Sequence, residues 1–436
     1  MSPRKKKPAA RRAVIVGGAR TPFVRAFGDF VKIDTIGLGV AAVRGLLDRT
    51  RVPWGELDSI VWGGVILPPT APNVGREIAL DLGLPASVEA MTVTRACASG
   101  LQAITLAAAA IERGDADVVI AGGSDSTSNA PVTMPQSLVH KAAPVALSGK
   151  SGPRDYLKLL GEISLRNDLI PSKPEIAERS TGQLMGEACE DMAERNQVSR
   201  EAQDAFALTS HQRAAAAMAA GRFDDEIVPV TNPDGKTVFA DQLVRGDTTL
   251  EKLGKLRAAF KKGGTLTAGN SSALTDGGAA VLLMSEEKAK ELGMQPLAAF
   301  KSWSYVGVDP ADQLLIGPAL AMPGALERAG MTLDQIDVVD MHEAFAAQVL
   351  SVLGALESDA FAKERLGRDG AVGRVDPDKL NLHGGSLALG HPFGATGARM
   401  VLTMANELGR TDAKTALLGL CAAGGLGAGA VMEAVD

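Results

Sequence analysis

A repeat held in one register constrains this chain more than any other feature. Ala98, Gly100, Arg113, Asp115, Ala116 and Gly122 meet Ala395, Gly397, Arg410, Asp412, Ala413 and Gly419 at a constant offset of 297 positions, without a gap. Each copy reads as a tight turn, an apolar helix, a strand and a glycine, so one α/β unit occurs twice. The 436 residues leave room for both units and an insertion, since single cores stop growing near ~250–300 residues. If a pseudo-twofold relates the units, the two helix N-termini converge on one place. Function is to be sought there.

Around the repeat, strands and helices alternate, which predicts a largely parallel sheet covered by helices. The apolar runs predict strands at 13–16, 60–66, 91–94, 117–121, 265–268, 279–285, 338–341, 415–420 and 430–435, and helices at 36–47, 101–112, 286–292 and 399–408. From Ser124 to about Lys262 the strand signals fade. Helices at 182–195 and 200–220 replace them, the second opened by Ser199 and closed by Gly221. This excursion carries Lys141, Lys150, Arg154, Lys158, Arg166, Lys173 and Arg179 among apolar residues, either a solvated face or a surface for an anionic membrane or partner. Met1 to Arg12 is basic and acid-free, the composition of a disordered tail, with a targeting role left open.

Four residues able to do chemistry fall at strand ends or in glycine turns. Cys97 lies in the turn Arg95–Gly100 between a strand and a helix, where the helix dipole and unpaired amides favour a thiolate. His391 is presented by Gly390–Gly397, a loop of three glycines and a proline that opens the repeated helix; Gly394 in it is the counterpart of Cys97. His342 and Glu343 follow the strand at 338–341, without the second histidine that a zinc-binding HExxH needs. Cys421 ends the next strand and runs into Gly424, Gly425 and Gly427. A strand follows these glycines instead of the helix a dinucleotide fingerprint requires, so they suit close backbone approach and amides for a developing oxyanion. A Cys–His pair makes a nucleophile and relays protons; a second thiol, with an ordinary pKa near ~8.5, suits transfer of a weakly acidic C–H proton.

Composition removes other classes. The net charge of −6 argues against nucleic acid, so an anionic ligand must be met by a local basic patch. Lys255, Arg257, Lys261 and Lys262 around Phe260 form one, suited to a phosphate-bearing ligand with a flat base, the alternative being a solvated edge. No apolar run approaches the ~20 residues of a membrane span, and no secretory leader is expected. Cys97, Cys189 and Cys421 form neither a disulfide framework nor a zinc site by spacing, which fits a reducing compartment.

From Ala13 to Val435 the chain resembles the thiolase family. The resemblance rests on Ala19–Pro22, Cys97–Gly100, Thr267–Ser272, His342–Ala346, Gly390–Gly397 and Cys421–Gly425. It implies an α/β fold of duplicated βαβαβαββ halves in a five-layer αβαβα core, with a helical loop domain inserted in the first half. The boundaries it implies are a tail at 1–12, an N-terminal half at 13–124 and 252–292, a loop domain at 125–251 and a C-terminal half at 293–436. By the same likeness Cys97 takes the acyl group, His391 activates it and Cys421 moves the substrate α-proton. One oxyanion hole uses His391 and a water held by His342; the other uses the backbone amides of Cys97 and Ala423. Arg257, Phe260, Ser272 and Met185 match CoA-binding positions. No metal and no cofactor beyond CoA as substrate is implied.

Many biosynthetic thiolases carry Asn where this chain has His342, and His where it has Leu184 before Met185-Gly186. The His342 form, and the long Pro- and Lys-containing segment from Ser124 to Arg179, look closer to the β-subunit of the fatty-acid oxidation trifunctional complex. The implied activity is degradative 3-ketoacyl-CoA thiolysis, with short-chain acetyl-CoA acetyl transfer as the alternative. The implied partners are CoA and 3-ketoacyl-CoA, a second copy in a homodimer or homotetramer, a hydratase/dehydrogenase α-subunit, and a peripheral membrane surface. A bacterial-type cytoplasmic location is expected, a mitochondrial one staying open. A β-ketoacyl synthase would not need Cys421, and a non-catalytic carrier would be expected to lose Cys97 or His391; all three are present.

Overall fold

The computed structural model describes residues 11–171 and 176–435, so most of the expected basic tail, and Lys173, lie outside the described residues. Arg11 and Arg12, at the end of that tail, pair with Asp117 and Glu433.

The first set of strands is β1 (Ala13–Arg20), β2 (Ser59–Gly63), β3 (Glu89–Val93), β4 (Val118–Ser126) and β5 (Thr275–Ser285), in the order β3-β2-β4-β5-β1. The second is β6 (Ala298–Gly307), β7 (Val338–Met341), β8 (Thr415–Ala422) and β9 (Leu426–Ala434), in the order β7-β8-β9-β6. A parallel bridge from Val339 to Leu380 stands where β3 stands in the first set, so the plan repeats strand for strand. β1 and β6 pair antiparallel at Val14–Ala299 and Ile15–Ala298 and join the two sets.

The sheet is more mixed than the expected parallel one. β2, β3 and β4 run parallel, as do β7 and β8, but β5 and β9 return antiparallel beside β4 and β8. In the second set that return needs only the turn Ala423–Gly425, too short for a parallel crossover.

Strands covered on both faces need near-continuous apolar sequence, and these have it. In β5, Ala279, Val281 and Leu283 share a core with α3 (Ser99–Arg113) and α8 (Gly394–Arg410). The alternate residues Ala280, Leu282 and Met284 pack with α1 (Thr35–Thr50) and α2 (Val74–Asp81). In β8, Ala416, Leu418 and Leu420 face α3 and α8. Leu417 and Cys421 face α4 (Met185–Arg195), α6 (Pro318–Ala329) and α7 (Ala346–Leu356). The result is five layers, with α3 and α8 in the middle.

The repeated glycines explain how the middle layer closes. A Cβ on Gly100 would lie 2.4 Å from Gly394 O, and one on Gly397 would lie 2.6 Å from Leu101 N, so the two helices touch backbone to backbone at equivalent points. Ala96 (φ 45°) and Phe393 (φ 23°) are also equivalent, and both hold a left-handed conformation unusual for residues with a Cβ. Such strain is maintained only where the surroundings over-determine it, typically at functional sites.

Residues 265–268 are not a strand. Thr265 N and Leu266 N donate to Glu190, and Thr267 N donates to Asn270 Oδ1, so side chains take the donors a ladder would have used. Within 125–251, Ala130–Ile176 forms a separate compact unit. Its helices are Gln136–Ala146, Pro153–Glu162 and Leu165–Asp168; Lys141 ties them together by donating to Glu162 O at 2.9 Å and to Asp168 at 2.8 Å. Arg154, Lys158 and Arg166 are exposed there beside Leu157 and Leu160. No described helix is long and apolar enough to cross a membrane.

Candidate active site

Cys97 sits in a turn pinned by its neighbours. Arg95 N donates to Ser99 Oγ at 2.7 Å, Ser99 Oγ donates to Ala96 O at 2.6 Å, and α3 begins at Ser99. His391 follows Gly390, whose φ of 100° and contact with Thr275 leave no room for a side chain: a Cβ there would lie 2.5 Å from Thr275 Cγ2. The two turns meet as the repeat predicts, with His391 Nε2 3.1 Å from Cys97 Sγ and Nδ1 2.6 Å from Thr396 Oγ1. His342 follows β7, with its amide on Gly419 O at 2.8 Å and Nδ1 2.9 Å from Ser386 Oγ. Its ring centroid is 4.2 Å from that of His391. The backbone N–H groups of Ala423 and Cys97 reach the Cys97 sulfur.

Burial sets the protonation states. It pushes the Cys97 thiol up to about 12, against the two amides that oppose the shift, with the Asp125 carboxylate adding to the rise. Resting Cys97 is therefore a thiol and not the expected thiolate; desolvation outweighs the helix N-terminus. Burial, helped by the Arg399 guanidinium, holds His391 down to about 3; His342 is also held well below its usual value, by burial first and then by His391 and Arg399. Both imidazoles are neutral near pH 7. With the Cys97 thiol donating to His391 Nε2, the ring proton sits on Nδ1, which donates to Thr396 Oγ1. Cys421 is buried, and its thiol is held well above the ordinary value by burial and by its sulfur neighbours Cys97 and Cys189. The arrangement is a neutral thiol–imidazole pair, two amides for negative charge, and a second thiol that rests protonated.

The supports of this site were not read from the sequence. Asp125 accepts N–H bonds from Val65, Ile66 and Gly394, binding the end of β4 to the first residue of α8; burial pushes its carboxyl up to about 7. At the repeat offset Asp125 meets Ala422, next to Cys421, a signal the overlay already contained. Glu343 accepts from Ser210 Oγ, on α5 (Arg200–Ala219), at 2.6 Å, from Asn381 Nδ2 at 2.6 Å and from Leu387 N at 3.2 Å, and so fixes the segment that carries Ser386 and leads into His391. The Arg399 guanidinium, which helps to hold both histidines neutral, donates to Asp340 at 3.2 Å.

The residues matched to CoA positions gather around the stretch after His342. Phe260 meets Phe345 edge to face at 5.7 Å and covers Gly186, next to Met185. Ser272 N donates to Ala344 O at 2.9 Å. Arg257 is exposed on the same loop as Phe260.

Residues 13–287 match the description "Thiolase, N-terminal domain", and residues 294–434 match "Thiolase, C-terminal domain". The chain belongs to the thiolase family. It is 45% identical over 424 residues to a 3-ketoacyl-CoA thiolase of Yersinia enterocolitica, and 45% identical over 425 residues to one of Citrobacter koseri, in each case over 97% of both chains. Among solved structures, human mitochondrial 3-ketoacyl-CoA thiolase superposes with a TM-score of 0.83 at 31% identity, covering 98% of this thiolase and 100% of that chain. Acetyl-CoA acetyltransferase of Bacillus anthracis superposes with a TM-score of 0.82 at 34% identity, with the same coverage. A human mitochondrial relative was solved in complex with CoA.

Proposed function

We propose that this thiolase is a degradative 3-ketoacyl-CoA thiolase: it cleaves 3-ketoacyl-CoA with CoA to acetyl-CoA and a shortened acyl-CoA. The observation that carries the reading is Cys97 Sγ, 3.1 Å from a neutral His391 Nε2, with a second thiol at Cys421 held protonated. As Cys97 attacks the 3-keto carbon, His391 takes its proton and the C2–C3 bond breaks. Acetyl-CoA leaves as an enolate, and the Cys421 thiol protonates C2. The proton on His391 then restores Cys421, and CoA thiol displaces the acyl group from Cys97, its own proton passing through His391 to the released sulfur. A thiol that rests protonated is suited to the cleavage direction, in which its first task is to donate. The full-length likeness to proteins named 3-ketoacyl-CoA thiolase supports the same direction.

In this reading His391 and a water on His342 hold one oxyanion, and the Cys97 and Ala423 amides hold the other. Met185, Arg257, Phe260 and Ser272 bind CoA. The halves are 13–124 with 252–292, and 293–436, with the loop domain at 125–251. The protein works in the cytoplasm as a homo-oligomer, with a hydratase/dehydrogenase α-subunit as candidate partner. Thiolysis of a series of 3-ketoacyl-CoAs tests the assignment: kcat/KM should rise from acetoacetyl-CoA to longer chains. Activity confined to acetoacetyl-CoA would refute it in favour of short-chain acetyl transfer.

A further inference from the structure

One buried nitrogen beside Cys97, His342 Nε2, has no hydrogen-bond partner among the described residues. One ring nitrogen of each of His342 and His391 shares a small volume with Cys97 Sγ, the three ligand atoms lying within 4.8 Å of one another. Each imidazole is held through Nδ1 by a hydroxyl, Thr396 at 2.6 Å on His391 and Ser386 at 2.9 Å on His342, which leaves Nε2 of each ring free to ligate; that of His391 lies 3.1 Å from the sulfur. Metal-binding histidines are oriented in this way, one ring nitrogen fixed by an outer partner and the other free to ligate. Tetrahedral bonds of ~2.0–2.1 Å to imidazole and ~2.3 Å to thiolate require ligand atoms roughly 3.5 Å apart, an adjustment on the order of 1 Å from the geometry here.

We propose that Cys97, His342 and His391 form a three-donor site for a soft divalent cation of the zinc class, which caps the nucleophile reversibly. Binding rests on the donor geometry alone; the resulting inhibition rests on the function proposed above. The Cys97 S–H bond breaks, a sulfur–metal bond forms and the proton leaves to solvent, while both histidines bind as neutral ligands; no redox change occurs. Part of the Cys97 surface is exposed although its sulfur environment is largely desolvated, so water or another small ligand would complete the shell. Two nitrogens and a thiolate select zinc-class ions over magnesium and calcium, which prefer oxygen. The ion's charge is partly offset: the Arg399 guanidinium that bears on both histidines is paired with Asp340, and the Asp125 carboxylate bears on Cys97. The site is a regulatory or inhibitory one and takes no part in turnover.

Cobalt(II) is the direct probe, titrated into the full-length protein in buffer free of CoA and other thiols. One equivalent should produce a thiolate-to-cobalt charge-transfer band and the intense visible bands of a tetrahedral ion. Cys97→Ser should abolish the charge-transfer band, His342→Asn should weaken binding at least ~10-fold, the scale of losing even an outer-sphere partner, and Cys421→Ala should retain the spectrum. Zinc should protect Cys97 from alkylation, a chelator should restore reactivity, and magnesium should do neither. Melting temperatures of the variants confirm that each is folded. Absence of the thiolate band, or a band indifferent to Cys97→Ser or to His342→Asn, overturns the site. Binding as described in a protein that forms no acyl-enzyme would leave the metal site standing and refute the catalytic reading instead.

Discussion

Replacing Thr396 by Val removes one oxygen from the site and keeps the side-chain shape. Thr396 Oγ1 lies 2.6 Å from His391 Nδ1 and is fully buried, so no water replaces it. In the resting enzyme the loss leaves a neutral N–H unsatisfied, which costs ~1–3 kcal/mol of stability. During acylation His391 becomes an imidazolium, and the bond from Nδ1 becomes charge-assisted, worth ~1.5–3 kcal/mol. If only the difference between a neutral bond, worth ~0.5–1.5 kcal/mol, and the charge-assisted one reaches the barrier, ~1–1.5 kcal/mol, the rate falls ~5–10-fold; if the ring also turns away from Cys97, the full bond is lost and the fall is ~10–150-fold, at ~1.36 kcal/mol per decade. The assay is rapid-quench acylation of Cys97 by 3-ketoacyl-CoA, read by mass, beside steady-state KM for CoA. Acylation should slow within that range while KM stays within ~2-fold, because the bond serves the transition state more than ground-state binding. Thr396→Ser should recover most of the rate. Parent-like acylation in a folded Thr396→Val protein would refute the role of this hydroxyl.

Other consequences follow from the same geometry. Gly100→Ala places a methyl group 2.4 Å from Gly394 O and 2.8 Å from Ala398 N, and should destabilise the protein by ~1–3 kcal/mol or more in denaturant melts; Gly55→Ala, with nothing within 4 Å, is the control. His391 titrates near 3 when folded and near ~6.5 when unfolded, so below pH ~6.5 the unfolded state binds a proton that the folded state refuses and stability falls with pH. His391→Asn should flatten that slope by up to ~1.4 kcal/mol per pH unit; an unchanged slope contradicts the buried neutral imidazole. Cys421→Ala should stop thiolysis while Cys97 is still acylated by an acyl-CoA, and retained turnover would remove Cys421 from the proton path.

The repeat made the plan of the molecule legible, because residues that pack backbone to backbone tolerate little change. Gly100 and Gly397 mark the contact of α3 with α8, and the two turns they follow bring Cys97 to His391. Cys421 and His342 were legible for a related reason, as reactive side chains at the ends of apolar strands. The strand Ala298–Gly307 and the helix Pro318–Ala329 escaped the reading. The first interrupts its apolar run with Lys301, Ser302 and Ser304, and the second contains Pro323 inside the helix, where a backbone donor is missing. Residues 265–268 failed in the opposite sense, their strand-like pattern overruled by Glu190 and Asn270. Local pattern cannot foresee a carboxylate arriving from a distant helix. The same holds for Asp125, Glu343 and Arg399, whose roles depend on what the fold stacks against them, and for the resting charge of Cys97, which burial decides.

The nucleophile is the claim on which the rest depends. The parent protein, given a 3-ketoacyl-CoA without CoA and then digested and weighed, should carry the shortened acyl group on the Cys97 peptide and release one equivalent of acetyl-CoA. An acyl group on Cys421 or elsewhere, or sustained turnover with Cys97 left unmodified, would contradict it.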